Sequence, residues 1–267
     1  MALLAAVLAS IACGIVGSYV TVRRMTYIAG AIAHCTLGGM GVARYLQTER
    51  GMTFFSPLAG AVVAALLAAL IIAWLQAKSD MRQDTILSAV WAVGMAVGIL
   101  FISKTSGYNE DLMSYLFGDI LMVSSRDIIL IGLLDAGLLL AAFFFHRQLD
   151  AIAFDEEFSR LSGLPVDLYN TFFLCTVALT VVLLVQLVGI ILVVALLALP
   201  AATAGRLTNR LPTLILTAIL LCLCATVGGL GLSYAPDLPA GATIILTAAG
   251  TYLIVDTVLK IKEKIKQ

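Results

Sequence analysis

Three ionisable residues lie inside long apolar stretches of the sequence, where titratable side chains are rare. His34 lies in the second stretch, Asp135 in the middle of the fifth, and Asp256 near the end of the last. Ionisable groups inside a bilayer are costly, and they therefore favour a functional interpretation. An imidazole suits zinc, manganese or iron, so His34 is a candidate metal contact, with a hydrogen bond to a neighbouring helix as the alternative. Asp135 could line a water-filled path, with helix packing as the alternative.

Several catalytic motifs are absent from the sequence. It contains no G-x-x-x-x-G-K-[ST] segment, no H-E-x-x-H segment, and no plausibly placed Ser/His/Asp set. The first of these motifs cradles the phosphates of ATP, and the others support hydrolysis. The chain is therefore predicted not to be an enzyme, and any ATP that drives it must be hydrolysed by another chain.

The elements that carry these residues are predicted from composition. The sequence is 61% hydrophobic and 12% charged, with a mean hydropathy of +1.07, whereas a soluble domain is about 25% charged. Runs of about 20 apolar residues can cross a bilayer as helices, so the chain is predicted to be an all-α, multi-pass membrane protein. A net charge of zero argues against a nucleic-acid partner. Nine candidate spans lie at 2–22, 26–47, 56–76, 84–103, 127–146, 167–186, 187–204, 211–233 and 240–259. The division of the run 167–204 near Gln186 and Gly189 is the weakest, so eight spans remain an alternative.

Orientation is predicted from the basic residues, which are enriched in cytoplasmic loops. With the N-terminus outside, four of the 16 Lys and Arg residues lie on the outer side and the other twelve on the inner side. The outer four are Arg44, Arg50, Lys104 and Arg126. This asymmetry predicts a cytoplasmic C-terminus and a cytoplasmic location for the polar segment 154–165.

That polar segment, FDEEFSRLSGLP, predicts a short amphipathic helix. Phe154, Phe158 and Leu161 share one helical face at i, i+4 and i+7, while Gly163 ends the helix and Pro165 prevents its resumption. A helix this short needs a surface to dock on. The segment therefore indicates that the chain presents a helix to a partner.

Five stretches together resemble one family, the transmembrane permeases of zinc, manganese and iron ATP-binding-cassette (ABC) importers. They are RRMTYIAGAIAH (23–34), DLMSYLFGDILMVSSRDI (111–128), AFDEEFSRLSGLPV (153–166), VGIILVVALLALPAATAGRL (188–207) and GGLGLSYAPDLPAG (228–241).

The resemblance implies a single permease domain over 1–267, with an outer connection at 104–126 and a cytoplasmic coupling segment at 153–166. It implies a second permease copy in a homodimer, a cytoplasmic ABC ATPase, an external metal-binding protein, and a bacterial-type inner membrane whose lipid surrounds the chain. No cofactor is expected to be bound permanently; the metal is cargo, with zinc first and manganese or iron next. The residues expected to couple to the ATPase are Phe154, Glu156, Glu157, Phe158, Arg160, Leu161 and Gly163.

The sequence departs from this family at one position. Many members carry an Asp four residues before the histidine, on the same helical face, whereas here that position is Gly30. The metal could pass with fewer protein ligands, Asp135 or another acid could substitute, or the cargo could differ. A permease for a metal chelate, of the siderophore or cobalamin type, and an ATP-independent secondary carrier remain as alternatives.

Overall fold

The computed structural model of the chain describes residues 1–52, 55–78, 82–105, 118, 123–234 and 238–266. In these ranges the regular structure is helical, as lipid requires of a chain whose backbone must satisfy its own hydrogen bonds. Ten helices are described: α1 Ala2–Val22, α2 Thr26–Arg50, α3 Pro57–Lys78, α4 Gln83–Ser103, α5 Ser125–Phe154, α6 Glu156–Leu161, α7 Val166–Val188, α8 Ile190–Leu207, α9 Leu211–Tyr234 and α10 Ala240–Lys266.

The all-α membrane architecture predicted from the apolar runs is confirmed. Within the described ranges, eight helices are long and apolar enough to cross a membrane, and each corresponds to a predicted span. The ninth long helix, α2, corresponds to the predicted span 26–47 and is less apolar than the others. Its residues from Ile28 to Ala43 are mostly buried against protein, so this helix does not need a continuous lipid-compatible surface.

The predicted division of the long run 167–204 falls at Gly189, where α7 ends and α8 begins. Gly189 has a φ of +80°, a conformation that a side chain would strain. Val188 and Ile190 on either side are each 1% exposed, so the break lies in the protein interior. A glycine is therefore required to separate the two helices at this point.

Two other boundaries differ from the prediction. Helix α5 continues eight residues beyond the predicted end at 146 and reaches Phe154, so it leads directly into the polar segment. Helix α10 continues past 259 to Lys266, because Lys and Glu, which have high helix propensity, make up most of these residues. Most of the predicted outer connection 104–126 lies outside the described residues.

The chain divides into two compact units. The first unit comprises residues 1–26, 117–146 and 187–267, and in it α1 packs on α8 and α9, while α10 packs on the same two helices. Its buried interface between α1 and α9 includes a hydrogen bond between the Ser10 and Thr226 hydroxyls at 3.3 Å. At the end of α8, Arg206 bonds to Asp256 of α10 through Nε at 3.0 Å, and Lys260 lies 2.7 Å from the same carboxylate. The Asp256 carboxylate is therefore engaged in ion pairs with Arg206 and Lys260.

The second unit comprises residues 27–116 and 147–186, and small residues set its helix contacts. A Cβ added to Gly38 would lie 2.6 Å from the carbonyl oxygen of Gly94, and one added to Gly94 would lie 2.9 Å from the Cα of Cys35. Gly39 and Gly60 bring α2 and α3 together in the same way. These contacts fix the register of α2 against α3 and α4, since larger residues would force the backbones apart.

Candidate functional site

The polar segment forms a short helix whose two ends are both capped. Asp155 precedes α6, and its Oδ1 accepts a hydrogen bond from the Phe158 amide at 2.9 Å, which satisfies one of the free donors of the first turn. At the other end the Leu164 amide donates to Ser159 O and the Gly163 amide to Arg160 O, both at 3.1 Å. These two bonds form a Schellman motif. Gly163 supplies its left-handed residue, with a φ of +85°.

Polar bonds hold α6 against the beginning of α7. Arg160 donates to both carboxylate oxygens of Asp167, at 2.9 and 3.4 Å, and it lies 3.6 Å from Glu156. The Asn170 amide in turn donates to Glu156 Oε1 at 3.5 Å. The hydrogen bonds that Arg160 donates to Asp167 raise the pKa of the Arg160 guanidinium above its usual range, so Arg160 stays positively charged at any physiological pH. The short helix is therefore fixed to the long helix that follows it.

The opposite face of α6 is apolar and exposed. On α6, Phe158 is 67% exposed and Leu161 83%, whereas Ser159 on the inner face is 1% exposed. Phe154, the last residue of α5, is 71% exposed. Large apolar side chains at such exposure, on a helix too short to span a membrane, are typical of a surface that binds a partner. Of the predicted coupling residues, Phe158 and Leu161 form the outward face of α6, Glu156 and Arg160 form the brace, Gly163 forms the end, and Glu157 is exposed in the first turn. The prediction of one helical face is wrong for Phe154, because α5 ends at this residue and the extended Asp155 separates it from α6.

Sequence reasoning missed three residues of this arrangement. Asp155 is given no separate role in the sequence prediction, although an Asp just before the first helical turn is an N-cap signal. Asp167 and Asn170 give no signal, because their contacts depend on the direction of the turn at 162–165. The brace is therefore visible only in three dimensions.

His34 lies half-buried on α2, where its ring stacks on Trp91 of α4. The two ring centroids are 4.6 Å apart and the planes differ by 10°, so the rings are stacked at a separation within the usual range for aromatic pairs. The adjacent Cys35 thiol donates to the carbonyl oxygen of Val90 at 3.2 Å, so it is engaged with the α4 backbone. One turn before His34, a Cβ at Gly30 would meet nothing within 4 Å.

Asp135 lies on α5 and is 4% exposed. Among the described residues neither of its carboxylate oxygens has a hydrogen-bond partner. Its electrostatic neighbours include the buried thiol of Cys13, on α1 of the same unit. A carboxylate without a partner in an apolar interior is expensive, so Asp135 is a position where a cation or a proton would be accommodated.

His34 and Asp135 belong to different compact units, so each is described with the neighbours in its own unit. The described ranges contain no group of three or more His, Cys, Asp or Glu residues that could hold a metal ion.

By class, the chain is a helical, multi-pass membrane protein that presents a short, braced helix with an exposed apolar face. The family comparison agrees with this class: the ABC 3 transport family matches residues 1–258. The chain belongs to that family, whose members are non-enzymatic membrane permeases served by a partner ATPase. The resemblance predicted from the five stretches, and the prediction that the chain is not an enzyme, are confirmed.

Individual relatives support the same assignment. The chain is 40% identical over 250 residues to a "Probable metal transport system membrane protein" of Chlamydia muridarum, covering 94% of this chain and 85% of that protein. It is 32% identical over 253 residues to the manganese transport system membrane protein MntC of Halalkalibacterium halodurans, covering 95% and 84%. Among solved structures, it is similar to a chain of PsaBC from Streptococcus pneumoniae in complex with Fab, with a TM-score of 0.82, 34% identity, and coverage of 95% and 89%.

Proposed function

We propose that this chain is the permease of an ATP-driven importer for a divalent metal ion, with manganese as the first candidate and zinc or iron next. The observation that carries the ATP-driven part is the exposed apolar face of α6 at Phe158 and Leu161, with exposed Phe154 at the adjoining end of α5 and with Arg160 and Asp167 bracing α6 from behind. Manganese replaces zinc as the first candidate because several relatives are named as manganese permeases. The family resemblance seen in the sequence implies zinc first.

The proposed coupling begins when the three apolar side chains enter a groove on the cytoplasmic ATPase. Closure of the ATPase moves α6, and the brace between Arg160 and Asp167 passes that movement to α7. Because the brace lies at the first turn of α7, the displacement is delivered to the cytoplasmic end of a membrane helix. Such a movement exchanges outward access for inward access.

The proposed metal path uses His34 and Asp135 as separate contacts. A neutral imidazole offers one nitrogen lone pair, and a carboxylate offers oxygen ligands; manganese accepts both donor types. Weak, separated contacts favour passage, since a cargo ion must leave as readily as it enters. Each residue is therefore proposed as a transient ligand of the cargo.

The proposed assembly contains two copies of the permease domain 1–267 in a bacterial-type inner membrane, with both C-termini in the cytoplasm. The asymmetry of Lys and Arg supports this orientation. An external metal-binding protein delivers the ion to the outer connection 104–126. Chemical cross-linking of the purified complex, followed by mass measurement, tests the presence of two permease copies.

The test of the function is uptake by liposomes that contain the permease, its ATPase and its binding protein. We expect manganese uptake that requires ATP, and less uptake of zinc and iron at equal concentration. Uptake that persists without the ATPase would indicate a secondary carrier. Equal or greater uptake of zinc would overturn the order of metals but leave the coupling intact.

A pair of matched variants tests the coupling surface. Phe158 and Tyr27 are each 67% exposed, and both are predicted to lie on the cytoplasmic side. Buried aromatic anchors contribute about 2 kcal/mol or more to an interface, so Phe158→Asp should weaken co-purification of the ATPase at least about 30-fold, while Tyr27→Asp should not. Equal retention of the ATPase by both variants would exclude α6 as its docking site.

A further inference from the structure

Trp91 gives His34 an unusual neighbour. Its indole lies parallel to the imidazole, with the ring centroids 4.6 Å apart, so it covers one face of the His34 ring. The nitrogen atoms of an imidazole bind metals and hydrogen-bond partners in the plane of the ring. A parallel stack therefore restricts the orientation of that plane without competing for the lone pair.

Contacts of α4 in turn fix the Trp91 side chain. Its Nε1 donates to the Sδ of Met95 at 3.0 Å, one helical turn further along. The backbone beside it is held against α2, because the Cys35 thiol donates to Val90 O at 3.2 Å and the Cα of Cys35 lies close to Gly94. The stack therefore connects two helices whose register is already set.

His34 has no acidic residue one turn before it. In many metal sites a carboxylate or carbonyl accepts the second ring N–H of the histidine and so orients the ring. At the position one helical turn before His34 this chain has Gly30, with open space around it. An orienting contact on that side is missing, while the stack with Trp91 supplies one through the ring face.

We propose that Trp91 is the positioning residue of the metal path, holding the His34 imidazole in the orientation that receives the ion by stacking instead of by a hydrogen bond. The inference rests on the proposed role of His34 as a metal contact. Loss of an orienting partner costs about 10- to 100-fold in metal affinity in other sites. We expect a loss of the same size when the indole is removed.

The test measures Mn²⁺ binding to the full-length permease in lipid nanodiscs, from the electron paramagnetic resonance signal of free aqueous Mn²⁺. Trp91→Leu should raise the Kd about 10- to 100-fold, whereas Trp91→Phe, which retains a ring for stacking, should stay within about threefold. The chain has two tryptophans. Trp74, which is 58% exposed on α3, provides the matched control, and Trp74→Leu should keep the parental Kd.

The outcomes separate this inference from the function on which it rests. If His34→Ala weakens Mn²⁺ binding but Trp91→Leu does not, the positioning role is wrong and the metal path stands. If Trp91→Phe raises the Kd for Mn²⁺ as much as Trp91→Leu does, ring stacking is not what positions His34. If His34→Ala binds Mn²⁺ with the parental Kd, the metal path itself fails, and the inference fails with it.

A second measurement tests the inference in case the Trp91→Leu variant does not fold. In Trp74→Phe, Trp91 is the only tryptophan, so its fluorescence reports on the stack. Added Mn²⁺ should quench this emission saturably, and His34→Ala should remove the saturable part. Quenching that is absent, or identical with and without His34, would overturn the inference.

Discussion

Gly163 offers the most direct test of how the coupling helix is held. Replacing it with alanine should lower metal uptake for each ATP hydrolysed, because the residue adopts a φ of +85° at the end of α6. A Cβ at this position would meet nothing within 4 Å. The penalty for a side chain therefore comes from the backbone conformation alone, not from a collision.

The size of the effect follows from that conformation. A left-handed residue other than glycine costs about 1–2 kcal/mol, which changes a local equilibrium by a factor of about 5 to 30. Asparagine tolerates this conformation better than alanine. Pro165, two residues later, prevents α6 from extending instead. The cost should consequently appear as loss of the two capping bonds and as movement of α6 away from α7.

The assay measures manganese uptake and phosphate release together in liposomes that contain the complete importer. We expect the ratio of uptake to hydrolysis to fall several-fold in Gly163→Ala and less in Gly163→Asn, while the permease remains in the membrane. Gly250 provides a matched control, since a Cβ there also meets nothing within 4 Å and its φ is not positive. Gly250→Ala should keep the parental ratio.

Two results would refute the reasoning about Gly163. A parental ratio in Gly163→Ala would show that the left-handed end is not needed for coupling. Equal losses in Gly163→Ala and Gly163→Asn would show that any side chain is harmful, so the cause would be contact with the partner and not backbone strain.

Three further predictions concern the brace, the metal path and the helix register. Arg160→Gln should lower the ratio of uptake to hydrolysis, because it breaks the 2.9 Å bond to the first turn of α7. A higher salt concentration should also lower this ratio in the parental protein. An unchanged ratio in the variant would exclude a role of the brace in coupling. Gly30→Asp should tighten Mn²⁺ binding, because it adds a carboxylate one turn from His34. It should not lower thermal stability, because the space around Gly30 is open. Unchanged binding would mean that the added carboxylate and His34 do not bind the same ion. Gly94→Ala should destabilise the permease by about 1–3 kcal/mol, because the added Cβ would lie 2.9 Å from the Cα of Cys35. The loss should appear as a lower melting temperature in detergent. An unchanged melting temperature would contradict the close approach of α2 and α4.

The helices and the coupling segment were largely predictable because their signals are local. Lipid leaves a spanning chain few choices of backbone structure, so the length of each apolar run predicted a helix, and Gly189 marked the one division in doubt. The end of α6 was predictable for the same reason, since Gly163 and Pro165 act on the residues beside them. The 30-residue length of α5 was not, because its last turns, between 147 and 154, are too polar to resemble a membrane span.

The surroundings of the proposed metal contacts depended on the register between helices, which no single segment encodes. The sequence shows that His34 and Trp91 are both present, but 57 positions separate them along the chain. They stack only because Gly38 and Gly94 let α2 and α4 approach at one particular offset. Asp135 was predicted as an intramembrane acid, but the absence of a described partner for its carboxylate required coordinates.

If Trp91 orients His34 as proposed, the chain does not need an acid at Gly30, one turn before the histidine. Orientation by a carboxylate is a local device, which is read from a residue one turn away on the same helix. Orientation by stacking is supplied across a helix interface, where it depends on small residues far from the site. A substitution at Gly38 or Gly94 should consequently disturb the His34 ring as much as a substitution at Trp91, whereas Gly39, which contacts α3 at Gly60, should affect stability without that specific effect on metal binding.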